Sequence, residues 1–210
     1  MRWADAPATT AIAALTVAAS LLLILTGSVP QAALMGGFIP ARLGMAGAAA
    51  AVPLLPLALT PITATLIHGG WGHLLFNLVM LVYVGRQVER PLGAGGVVAL
   101  YLIGAYASVA GQWLAGPDST VPMIGASGAV SALVGAYALL FGESRAKAIG
   151  PVPADVVHIA WLAVAWIGVQ LLIGATSGGD QPVAIAAHIG GFLAGLACAR
   201  PLLLWRWRGA

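Results

Sequence analysis

Apolar residues along this chain fall into long blocks separated by short breaks rich in glycine, proline or charge. A helix needs about 20 apolar residues to cross the roughly 30 Å hydrocarbon core of a bilayer. The blocks predict helices at about 9–29, 71–89, 95–114, 127–141, 155–173 and 182–204. Residues 30–67 break the pattern. The part from 43 to 67 is apolar enough to span, but it carries Pro53, Pro56 and Pro61. Each proline removes a backbone donor and clashes with the preceding turn, so one continuous helix is not expected there. The expectation is a partly membrane-embedded loop built of short helical pieces, its backbone satisfied by protein or a water-filled cavity.

Composition agrees with a membrane solvent. The 210 residues are 60% hydrophobic and 7% charged, whereas soluble domains carry about 25% charged residues. The fold class expected is an all-α polytopic membrane protein, a six-transmembrane-helix bundle forming one membrane domain over 1–210. The 28 glycines suit close helix contacts, because small residues let backbones approach where lipid offers no hydrophobic drive. Basic residues are spread over loops and the C-terminus, with no clustered face, so nucleic acid is not an expected partner. Cys198 stands alone, which excludes an intrachain disulfide.

The basic residues orient the bundle. With six spans, Arg2, Arg86, Arg90, Arg145, Lys147, Arg200, Arg206 and Arg208 share one side, and Arg42 is on the other. The positive-inside rule makes the populated side cytoplasmic, with both termini there. A seventh span at 43–67 gives the same imbalance, so the prolines decide the count.

Polar residues inside apolar helices are costly and point to function. His73 and Asn77 lie four apart, hence on one helix face, at the outer end of the second span. Ser127 opens the fourth span and His188 lies early in the sixth, at the same outer end. The 127–141 helix is about 22 Å long at 1.5 Å per residue, so Ser127 should start below the outer surface beside water. Ser127, Ser131 and Gly135 repeat every four residues, and Gly191 and Gly195 form Gly-x-x-x-Gly. Those two faces can approach closely and bring Ser127 Oγ to the His188 imidazole. A serine becomes a nucleophile when a base takes its proton, and imidazole titrates near neutral pH. The Ser127 backbone N–H, Asn77 and His73 are candidate donors to an oxyanion. No carboxylate lies inside a span near His188, so the expectation is a dyad.

At these positions the chain resembles the rhomboid family of intramembrane serine proteases. The residues that carry the resemblance are His68, His73 and Asn77, the Gly-x-Ser-Gly at 125–128, and the Ala-His-x-x-Gly at 187–191. The run Glu89-Arg90-Pro91-Leu92-Gly93 also looks like the family's pattern. The resemblance implies that Ser127 is the nucleophile and His188 the general base, with Asn77 and His73 stabilising the oxyanion. Gly125, Gly128, Gly191, Gly195 and His68 are expected to shape the site. It implies cleavage of transmembrane protein substrates in or near their spans, with no metal or cofactor, in a bacterial cytoplasmic membrane. Two departures stand out. Leu59 and Thr60 occupy the place of a Trp-Arg pair frequent in the embedded loop of bacterial relatives. Ser131 occupies the place of an aromatic that often stacks on the catalytic histidine. The alternative function is a catalytically silent relative that binds and escorts membrane proteins. A transporter or metal protein using His68, His73 and His188 is disfavoured, because no span carries a central carboxylate or a His-Glu-x-x-His motif.

Overall fold

The computed structural model describes residues 5–44, 54–142, 146–176 and 184–208. Arg2, Pro53, Arg145 and part of the embedded-loop expectation lie outside the described residues. The described chain is helical, in the order α1 (Pro7–Leu25), α2 (Val29–Gly36), α3 (Thr60–Thr63), α4 (Trp71–Ala115), α5 (Ser127–Phe141), α6 (Ala154–Thr176) and α7 (Ile185–Trp207). Short 3-10 turns flank α3 and cover Pro40–Leu43. Among the described residues, extended pairing is limited to isolated bridges, Phe38 with Met123 and Ile149 with Val152. Four helices are long and apolar enough to cross a membrane: α1, α4, α6 over Ala154–Leu172, and α7.

At 45 residues, α4 is two helices joined at Gly93, whose backbone is non-helical at φ 72° and ψ 172°. The break expected after residue 89 therefore falls a few residues later, with Pro91 still inside helical structure. A positive φ is open to glycine without steric cost. A Cβ at Gly93 would also sit 2.8 Å from Arg206 Nη1. The end of α7 closes the first limb of α4. Arg206 Nη1 donates to the carbonyl of Arg90 at 2.9 Å, and Trp207 Nε1 donates to that of Pro91 at 3.2 Å. These are carbonyls that a terminating helix leaves without intrahelical partners.

α4, α5 and α7 form the centre of the bundle, α1 packs on α4, and α6 lies at the edge, mainly against α7. Leu81, Leu100, Leu133 and Val97 are fully buried between the central helices. The outer faces are apolar, including Leu22, Trp161, Val164 and Leu172, each at least 60% exposed. Such a belt suits lipid, since apolar patches of this extent are rare on soluble monomers. α5 and α7 meet backbone to backbone. A Cβ at Gly191 would clash with the Gly128 carbonyl, and one at Gly195 with that of Ala132. The glycine face read from the sequence is thus the contact face.

A buried carboxylate fixes α1. Glu89 accepts from the Ala8 and Thr9 backbone N–H groups at 2.8 Å each and from the Thr9 hydroxyl at 2.6 Å. Pro7 at the first helical position has no N–H to satisfy. An anion at a helix N-terminus is stabilised by the helix dipole as well as by these bonds.

Candidate active site

The segment before Ser127 is laced to the segment before α4. Phe38 and Met123 exchange backbone hydrogen bonds at 3.0 and 2.7 Å, and Gly125 N donates to the Ala64 carbonyl at 2.8 Å. The Ala126 N–H donates to His68 Nε2 at 3.3 Å. His68 is fully buried, and its Nδ1 lies 2.8 Å from Ser20 Oγ, which itself donates to the Leu66 carbonyl at 2.9 Å. Ser20 has one hydroxyl proton, so Nδ1 of His68 carries the proton in that pair and Nε2 accepts. His68 is therefore a strut between α1 and the loop that presents Ser127, not a member of the reacting set.

α5 begins at Ser127, and its first residues are small: Ser127, Gly128 and Ala129. Gly125 holds φ at +104°, and a Cβ there would sit 2.5 Å from His73 Nε2. Both the backbone angle and the neighbouring ring demand glycine at that turn. Gly128 lets α5 close on Ser108, whose side chain a Cβ would strike.

His188, four residues into α7, faces Ser127. Its Nε2 lies 2.8 Å from Ser127 Oγ. Its other nitrogen, Nδ1, lies 2.8 Å from Gln170 Oε1 on α6. The Trp166 indole N–H donates to the His188 carbonyl at 3.3 Å, and that indole stacks on Phe192 at 4.8 Å with an 8° interplanar angle. The Ser131 hydroxyl bonds back along its own helix, donating to the Ser127 carbonyl at 2.8 Å.

His73 and Asn77 line the same cavity as Ser127 and His188, a space of about 720 Å³ between α4, α5 and α6. His73 Nδ1 accepts from the Gly69 N–H at 3.2 Å. A neutral ring then carries its proton on Nε2. Asn77 is buried, and its amide donates to the His73 carbonyl at 2.9 Å, leaving a second amide hydrogen. All four expected chemical groups thus meet at one cavity. Gln170, Trp166 and Ser20 were missed by sequence reasoning. Gln170 offered a signal: it is the one carboxamide in α6, whose other polar residues, Asp155, His158 and Thr176, lie near its ends, and a buried polar group needs a partner.

Residues 58–205 match the family model described as Rhomboid domain, and the chain belongs to the rhomboid family. It is 32% identical over 136 residues to "Rhomboid protease GlpG" of Pectobacterium atrosepticum, covering 64% of this chain and 45% of that protein. It is 33% identical over 144 residues to "Rhomboid protease GluP" of Bacillus subtilis, covering 68% of this chain and 26% of that protein. A GlpG of Yersinia enterocolitica is 32% identical over 135 residues, or 63% of this chain and 44% of that protein. The chain spans less than half the length of these relatives.

Proposed function

We propose that this chain is an intramembrane serine endopeptidase, with Ser127 as nucleophile and His188 as general base, acting on transmembrane proteins in or near their spans. The observation that carries the reading is the 2.8 Å approach of Ser127 Oγ to His188 Nε2 at a cavity. In the acylation step Ser127 Oγ bonds to the scissile carbonyl carbon while its proton moves to His188 Nε2. Negative charge collects on the carbonyl oxygen. The Ser127 N–H, the free Asn77 amide hydrogen and the His73 Nε2–H are the donors disposed toward it. The C–N bond then breaks, and Nε2–H gives its proton to the leaving amine. Water, deprotonated by the same nitrogen, attacks the acyl-serine; the ester C–O bond breaks, the second fragment leaves with a carboxyl terminus, and Nε2–H returns its proton to Ser127 Oγ. The names of the relatives support this assignment.

The same reading takes the two limbs of α4 as separate spans and the 15-residue α5 as a short one, giving six. Arg86, Arg90, Arg200, Arg206 and Arg208 gather at the end of the bundle opposite Ser127, which supports cytoplasmic termini and an outward-facing site. Under this reading, substrate helices enter from the bilayer, past the apolar residues Phe76, Met80 and Val134 that line the cavity beside Ser127. The test is cleavage of a single-span reporter by the purified protein and by its Ser127→Ala and His188→Ala variants, with fluorophosphonate labelling of Ser127 alongside. Cleavage and labelling by the native protein alone are expected. Equal cleavage by all three ends the reading, and binding of the reporter without cleavage or labelling identifies an escort protein instead.

A further inference from the structure

Hydrolysis by a serine–histidine pair needs the imidazole in one tautomer, with Nε2 free to accept. Something must therefore hold a proton on Nδ1. In this chain the aromatic place at 131 is a serine whose hydroxyl is committed to the Ser127 carbonyl. The Nδ1 side of His188 instead meets Gln170 Oε1 at 2.8 Å. A carboxamide oxygen is an acceptor only, so His188 Nδ1 is the donor and Nε2 faces the Ser127 hydroxyl unprotonated. Gln170 is 3% exposed, which removes competition from solvent. A second contact from the same helix face reinforces this one. Trp166, one turn earlier on α6, bonds the His188 carbonyl and stacks on Phe192 of α7. α6 thus grips both the ring and the backbone of the histidine.

We propose that Gln170 is a positioning residue for catalysis, completing a Ser127–His188–Gln170 relay in which α6 fixes the tautomer and plane of the general base. The proposal rests on the hydrolase reading above. It also defines the chemistry of the third member. An amide orients the imidazole as a carboxylate would, but adds no net charge to steady the imidazolium. Among the described residues, Ser127 on α5 and Gln170 on α6 meet the ring uncharged, Trp166 on α6 bonds the His188 backbone carbonyl, and His73 on α4 is the titratable group across the cavity.

The experiment compares the native protein with Gln170→Leu and Gln170→Glu. The readouts are reporter kinetics against pH and nitrogen NMR of histidine-labelled protein, with His188 assigned through its alanine variant. Gln170→Leu should lower kcat by about tenfold or more with KM little changed, and the His188 tautomer bias should be lost. Gln170→Glu is nearly isosteric and tests the contact even where the leucine variant folds poorly. It should keep the Nδ1–H tautomer and, because a carboxylate favours the charged imidazole, move the acid limb of the profile to higher pH by about one unit or more. An unchanged tautomer and an unchanged acid limb in both variants overturn the proposal. The NMR signals need no turnover, so they report on the contact even where Ser127→Ala shows that the chain is no protease.

Discussion

Glu89 and Thr9 join two ends of the fold that lie 80 residues apart in the chain, through bonds of 2.8 Å to the backbone and 2.6 Å to the hydroxyl. The carboxylate is 4% exposed and also takes the Ala8 N–H. Replacing it by alanine leaves buried donors without an acceptor at a helix N-terminus. The expected loss is about 2–4 kcal/mol, above that of an ordinary cap, because the bonds are charge-assisted. Denaturant titration in detergent checks it. A change below about 0.5 kcal/mol would show that α1 is held by packing alone.

The close approach of α5 and α7 makes a second comparison. A Cβ at Gly191 meets the Gly128 carbonyl and the Ser131 side chain, backbone atoms among them, so the helices must separate. Gly168 sits inside α6 with nothing within 4 Å of where its Cβ would be. Gly191→Ala should destabilise by about 1–3 kcal/mol and slow fluorophosphonate labelling, since Ser127 and His188 lie on the parting helices. Gly168→Ala should be neutral or stabilising by up to about 1 kcal/mol, as alanine is the better helix former. The same response from both variants would mean that glycine content, not this contact, sets stability.

How far the sequence could be read follows from which forces leave a local mark. Helix positions were legible because long apolar runs mark them, and the ends differ from observation by a few residues where capping decides them. The limit of α4's first limb is an example: Pro91 and Gly93 together read as stops just past residue 89, but the helix runs on through Pro91 and the turn falls at Gly93, whose backbone holds φ 72°. The meeting of Ser127 with His188 was legible because small residues at four-residue spacing mark both helices. Gln170 stood out as a carboxamide in α6, but its partner was not legible, because the helix has too little polar patterning to reveal which face meets α7. Nor was the Glu89 cap, since a carboxylate near a loop reads as solvated until its partner in a distant helix is known.

Gly125 offers a sharper test of loop geometry than any change at Ser127. Its φ of +104° disfavours any side chain, and an added Cβ would sit 2.5 Å from the ring nitrogen Nε2 of His73. Gly125→Ala should therefore reduce cleavage by at least about tenfold while the protein stays folded, because the strain falls on the loop and not on the core. Gly27, with φ 67° and open space around it, is the matched control. Gly27→Ala also places a side chain at positive φ, in the milder left-handed helical region and outside the cavity lining, and should cost stability without lowering kcat. Equal activity loss in both would assign the effect to folding.

Asn77 and His73 separate two ways of serving the cavity. The Asn77 amide gives one hydrogen to the His73 carbonyl and has a second to offer in a cavity that Ser127 also lines. Under the hydrolase reading, that hydrogen is worth more to a developing oxyanion than to a neutral carbonyl. Asn77→Ala should thus lower kcat by about 10²-fold with KM little altered, in the range seen when one such donor is removed. His73→Ala removes a ring that also packs edge-on against His68 at 4.9 Å, so it should lower kcat and loosen the loop together. A melting temperature that falls for His73→Ala but holds for Asn77→Ala, with kcat reduced in both, is the expected pattern. A rise in KM alone for Asn77→Ala would make that amide a substrate-binding group and leave the oxyanion to the Ser127 N–H and His73.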